Sequence, residues 1–156
     1  MELYLLRHGT AANAEDDPQR ALTAEGRSQV AEVVGRAAAD GVRVERVYHS
    51  GILRAQQSAE IAAQALGGAL ERRTGLAPLD DVEPTVRWLA GRPDEARILL
   101  VGHLPFLGRL AARLAGGPAG GEVVELETAE LVKLERMPGG GFELRWSQRP
   151  SRGDTG

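Results

Sequence analysis

The sequence predicts a three-layer α/β/α sandwich on a mostly parallel sheet, closed by a C-terminal antiparallel hairpin. Three observations carry this. Short apolar runs alternate with helix-length amphipathic segments from Glu2 to Ala115. Two later runs, Glu130–Arg136 and Phe142–Trp146, instead alternate apolar with polar residues around Pro138 and three glycines. The chain has 156 residues, room for one domain with a real core and little more. A single domain is expected over residues 1–148, with residues 149–156 as a flexible C-terminal tail.

The elements follow in order. Glu2–Leu6 (ELYLL) is a buried strand that stops abruptly at Arg7-His8-Gly9. Thr10–Leu22 contains Asp16, Asp17 and Pro18 and reads as a loop. Thr23 is the expected N-cap of a helix over Ala24–Ala39, with Val30, Val33, Val34 and Ala37 at helical spacing and Asp40-Gly41 closing it. Val44–His49 is a second strand, and Ser50 the expected cap of a helix ending near Gly67-Gly68. A weaker strand covers Ala69–Arg73 and a short helix Glu83–Leu89. Arg97–Val101 (RILLV) is the clearest buried strand, followed by Gly102-His103 and a helix from Pro105 to Ala115, proline suiting a first turn. Gly116–Gly121 reads as a flexible break, and Glu122, Glu125, Glu127 and Glu130 as a solvated acidic face. Gly139–Gly141 reads as the turn of the hairpin.

Composition removes several classes of function. The net charge of −3 lacks the basic excess expected of a general nucleic-acid binder. No apolar run approaches the roughly 20 residues that span a bilayer, and the first residues do not read as a signal peptide, so none is expected. The chain has no cysteine, which removes disulfides, thiolate metal sites and cysteine nucleophiles. A cytoplasmic, monomeric protein without membrane or nucleic-acid partners is the expectation. Lys133 is the single lysine among 19 basic residues.

The chemistry gathers at strand ends. His8 follows the first strand and His103 follows RILLV; Arg7 adjoins His8, and Arg54 falls in the first turn of the second helix. In a parallel sheet the binding crevice lies at the carboxyl ends of the strands, so these four residues share one edge if the strands are neighbours. Helix N-termini near Ser50 and His103 add backbone donors there. Two guanidiniums and two imidazoles describe an anion site, and a phosphoryl group suits it best because the arginine fork matches its oxygens. A neutral histidine, with an unperturbed pKa of ~6.5, is also a competent nucleophile toward phosphorus. The histidines at 8, 49 and 103 lack metal-ligand spacing, no Walker-type glycine loop is present, and no metal or cofactor is expected. His49 reads as structural or as part of the rim, and Arg20 as an exposed arginine that could reach the site from its loop.

Four motifs at consistent distances carry a resemblance: R-H-G-T-A at 7–11, A-L-T-A-E-G at 21–26, S-G-I-L-R-A-Q-Q-S at 50–58 and V-G-H-L-P at 101–105. They resemble those of the histidine phosphatase superfamily, and more narrowly its small SixA-type phosphohistidine phosphatases. The resemblance continues through E-T-A-E-L-V-K-L-E at 127–135 and the strand of Trp146. It implies a phosphoglycerate mutase-like fold, with His8 as the nucleophile that becomes phosphorylated. Arg7 and Arg54 would clamp the phosphoryl oxygens, and His103 would bind the same group and stabilise the in-line transition state. Water would then hydrolyse the enzyme phosphohistidine.

The chain also departs from the larger, metabolite-directed relatives. Their threonine and asparagine after Arg-His-Gly stand one place later than Thr10 and Asn13 do here, so neither residue is given a phosphate contact. Those relatives use a glutamate general acid between the positions of Arg54 and His103. The interval here is too short for a substantial cap, and it offers Asp80, Asp81 and Glu83, with Asp81 the candidate acid. A phosphoramidate leaving group, protonated on its other ring nitrogen, needs less acid help than an alkoxide. An uncapped site would also admit a phosphohistidine carried on a protein, such as a phosphotransfer domain. The alternatives are a small-molecule phosphomonoesterase of the same superfamily, taking small phosphate esters, and a non-catalytic phosphate-binding module. Intact His8 argues against the last.

Overall fold

Leu3, Tyr4, Leu5 and Leu6 are all buried because their strand runs through the middle of the molecule with apolar layers on both sides. In the computed structural model, which describes residues 1–117 and 123–151, this strand is β1 (Glu2–Arg7). There follow α1 (Ala24–Ala39), β2 (Arg46–His49), α2 (Leu53–Leu66), β3 (Ala69–Arg72), α3 (Glu83–Ala90), β4 (Arg97–Gly102), α4 (Phe106–Gly116), β5 (Leu131–Arg136) and β6 (Phe142–Gln148). The six strands form one sheet in the order β3-β2-β4-β1-β5-β6. β1, β2, β3 and β4 are parallel, and β5 and β6 pair antiparallel to complete the edge beside β1. This is the mostly parallel sandwich with a C-terminal hairpin that the sequence predicts.

Period-two alternation divides the core. Leu3, Leu5, Leu100, Val132 and Leu134 pack with Leu89 of α3 and Phe106, Leu107 and Leu110 of α4. Tyr4, Leu6, Val47, Leu99 and Val101 pack on the other face with Val30, Val33 and Val34 of α1 and Ala55, Ala59 and Ala62 of α2. The small alanine face lets α2 lie close to the sheet. α1 begins as expected, the Thr23 hydroxyl accepting from Gly26 N at 3.0 Å.

Several boundaries differ from expectation for identifiable reasons. Val44 is not in β2, because its N–H bonds to the Leu66 carbonyl at the end of α2. Ser50 is not the cap of α2: the N-cap is Ile52, without a side-chain bond, and the Ser50 hydroxyl is engaged elsewhere. Glu130 belongs to a turn before β5, its N–H bonded to Glu127 O, and it is buried at 3% exposure rather than part of a solvated face. β6 runs on to Gln148, because Ser147 and Gln148 pair with Val132 and Leu131. Nor is the first part of the tail free. Arg149 pairs with Glu127 and Glu130, its carbonyl accepts from Arg36, and Ser151 binds Glu32 on α1. Residues 152–156 of the expected tail lie outside the described residues. So do Glu122 and most of the expected glycine break, whose first residue, Gly116, ends α4.

Candidate active site

The order β2-β4-β1 sets three carboxyl ends side by side. Register pairs Arg7 with Gly102 and His49 with Val101, so the residues that follow each strand emerge next to one another. His8, His103 and the Ser50 turn are those residues. The His8 and His103 rings lie 5.1 Å apart, centroid to centroid, tilted by 56°. Both side chains are buried, at 8% and 1% exposure.

His8 is fixed from several sides. Its N–H donates to Gly102 O at 3.1 Å and its carbonyl accepts from Ala129 N at 3.0 Å, Ala129 standing at a φ of 59°. Nδ1 lies 2.7 Å from Gly9 O. A carbonyl can only accept, so Nδ1 carries the proton and Nε2 of the neutral ring keeps its lone pair. Burial, reinforced by the charges of Arg54, Arg7 and Arg20, lowers the His8 pKa to about 4. Burial beside His8, Arg54 and Arg7 likewise pushes His103 down to about 3. Both imidazoles are therefore neutral at neutral pH.

Each arginine of the group keeps a buried donor without a protein partner. Arg7 Nη1 donates to Leu126 O at 2.8 Å, and its buried Nε has no partner within the protein. Arg54 Nε is likewise buried and unpartnered. Burial lowers both guanidinium pKa values, yet arginine remains charged. Unmet buried donors on permanent cations are costly unless an anion supplies the acceptors. Ser58 ties the two motifs together, accepting from Gly9 N at 3.2 Å and donating to Arg54 O at 2.8 Å.

The other sequence candidates fall outside this group or at its edge. Thr10 gives its N–H and hydroxyl to Gln29 Oε1 on α1, and Asn13 Oδ1 accepts from Asp16 N within the loop. Arg20, at a φ of 53°, donates from Nε to Ala12 O, and its charge is felt at His8 and Arg54. His49 is buried, with Nδ1 accepting from Gly51 N. Asp81 is exposed and accepts from Glu83 N at the start of α3, Asp80 accepts from Ala77 N, and Glu83 forms a two-bond pair with Arg113. None of these three carboxylates bonds to a residue of the histidine–arginine group. Sequence reasoning missed the roles of Ser50, Ser58 and Gln29, whose partners are 53, 49 and 19 residues away. The one available signal was the position of Ser50 and Ser58 within the motif of Arg54.

A mixed six-stranded sheet flanked by four helices, with paired histidines past adjacent strand ends, is a phosphoglycerate mutase-like histidine phosphatase fold. The chain belongs to the histidine phosphatase superfamily (branch 1), whose family model matches residues 3–81, and within it to the SixA type. This places it among phosphatase hydrolases. It is 40% identical over 141 residues to an uncharacterized protein of Picosynechococcus sp., covering 86% of this chain and 84% of that one. It is 33% identical over 122 residues to the phosphohistidine phosphatase SixA of Escherichia coli, covering 75% and 76%. Among solved structures, the protein histidine phosphatase SixA complexed with tungstate superposes with a TM-score of 0.85 at 28% identity, covering 96% of this chain and 97% of that one. Among the described residues, no helix is long and apolar enough to cross a membrane.

Proposed function

We propose that this protein is a metal-independent phosphatase that hydrolyses phosphohistidine on proteins, through a phosphohistidine intermediate on His8. The observation that carries the reading is the held ring of His8. With Nδ1–H bound to Gly9 O, Nε2 presents a lone pair beside cationic groups whose buried donors lack protein partners. Nε2 attacks phosphorus, the P–N bond to the substrate imidazole breaks, and that imidazole departs neutral, already protonated on its other nitrogen. Arg7, Arg54 and His103 stabilise the transferring oxygens. Water then attacks the phosphorus on His8, releasing phosphate and restoring the lone pair. The superposable SixA structure is complexed with tungstate, a tetrahedral oxyanion, which supports an oxyanion ligand for this protein.

Two features favour a protein-borne N–P substrate over a phosphate ester. The carboxylates of the Arg54–His103 interval named as acids are occupied elsewhere, so protonation of an alkoxide has no evident donor. The regular elements of that interval all belong to the sandwich, and the irregular segment after β3, residues 73–82, is too short for a substantial cap, which supports an open edge. The test is phosphate release, in chelator, from a phosphorylated phosphotransfer domain beside a panel of phosphomonoesters. Fast release from the protein with slow turnover of the esters is expected. The reverse pattern would assign the protein to small phosphate esters and return Asp81 to consideration as the acid.

A further inference from the structure

Ser50 is the first residue past β2, and the turn that carries it is closely specified. Gly51 has a φ of 88°, a left-handed backbone conformation that favours glycine. Gly51 N donates to Nδ1 of the buried His49 at 3.0 Å, which holds the turn. The turn brings Ser50 Oγ to two neighbours, Ile52 N at 3.2 Å and His103 Nε2 at 2.7 Å.

Those contacts favour one placement of the protons. Ile52 N–H can only donate, so it takes one lone pair of the hydroxyl. If His103 Nε2 also donated, the hydroxyl would accept twice and its own O–H would have no protein acceptor among the described residues. If the hydroxyl donates to Nε2, both contacts are satisfied at once. The neutral ring then carries its single proton on Nδ1. Nδ1 is buried and has no protein partner, in the ring that lies against His8.

We propose that Ser50 is a positioning residue: its hydroxyl donates to His103 Nε2, fixing the Nδ1–H tautomer so that His103 offers one N–H donor to the phosphoryl oxygens. The assignment rests on the reading that this site takes a phosphoryl group. In the other tautomer Nδ1 would present a lone pair to an anionic oxygen, and repulsion would replace a hydrogen bond. Depression of the His103 pKa excludes an easy escape through the doubly protonated ring at neutral pH.

Ring ¹⁵N NMR of the free wild-type protein tests this without any turnover. Expected is a pyrrole-like, protonated His103 Nδ1 and a pyridine-like Nε2. Ser50→Ala should move His103 toward the Nε2–H form and lower kcat for phosphoramidate on the order of 10–100-fold, as when a histidine loses the partner that orients it. Ser50→Thr, which keeps the hydroxyl, should return both readouts to near wild type. A protonated Nε2 in the wild-type protein, or unchanged ring shifts in a folded Ser50→Ala, overturns the proposal. If Ser50→Ala does not fold, the wild-type tautomer and the Ser50→Thr rescue still decide. Wild-type protein inactive on every N–P substrate would count against the proposed function instead, whatever the tautomer.

Discussion

His8 combines two properties that solvent rarely allows together, a neutral ring and a fixed tautomer. Gly9 O supplies the second and burial among arginines the first. His8→Ala should therefore cut phosphate release on the order of a thousand-fold or more, while circular dichroism and the melting temperature stay close to wild type. A folded, active His8→Ala would remove the nucleophile from the scheme. The buried histidines also set a pH dependence of stability. An unfolded chain takes up protons on His8 and His103 near the ordinary pKa of ~6.5, whereas the folded chain refuses them until about pH 4 and about pH 3. The unfolded state thus binds more protons in that interval, and stability rises with pH across it. Thermal unfolding should show Tm falling from pH 7 to about 4.5, with a shallower fall in His8→Asn. Equal slopes for the two proteins would mean that His8 titrates alike folded and unfolded.

At the scale of elements, the glycines of two motifs interlock. A Cβ on Gly26 would lie 2.0 Å from Thr10 O, and one on Gly9 would lie 2.5 Å from Gly26 O. The first turn of α1 thus seats directly on the backbone behind His8, which gives A-L-T-A-E-G a physical reason to accompany R-H-G. Gly26→Ala forces backbone against backbone and should destabilise by about 1–3 kcal/mol, toward the upper end, as read from urea midpoints. A change under about 0.5 kcal/mol would show that α1 can shift freely. Legibility in the sequence follows the same logic. α1 could be read to the residue because Thr23, its apolar stripe and Asp40-Gly41 are local signals. The start of α2 could not, because Ser50 looks like a cap and is diverted to His103 by a tertiary contact.

For the molecule as a whole, topology turns four scattered motif residues into one site. Strand order alone could not be read from periodicity, yet β4 between β1 and β2 is what brings His8, His103 and the Ser50 turn together. The R-H-G, L-R-A and G-H-L-P motifs made those residues legible before any geometry. The C-terminal strap was not legible, since Ser147–Ser151 is polar and its partners Glu32, Glu127 and Glu130 lie far back in sequence. Deleting residues 149–156 removes a charged partner of the buried Glu130 and should lower stability by about 1 kcal/mol. A truncated chain with an unchanged urea midpoint would mean the strap adds nothing.

The most direct test of the central claim is a rapid-quench experiment on a small N–P substrate, phosphoramidate, with mass spectrometry of the quenched protein. An acid-labile phosphoryl group on the peptide containing His8 is expected during turnover, with neither adduct nor phosphate release in His8→Ala. Phosphate release at the wild-type rate from a folded His8→Ala protein would contradict the account.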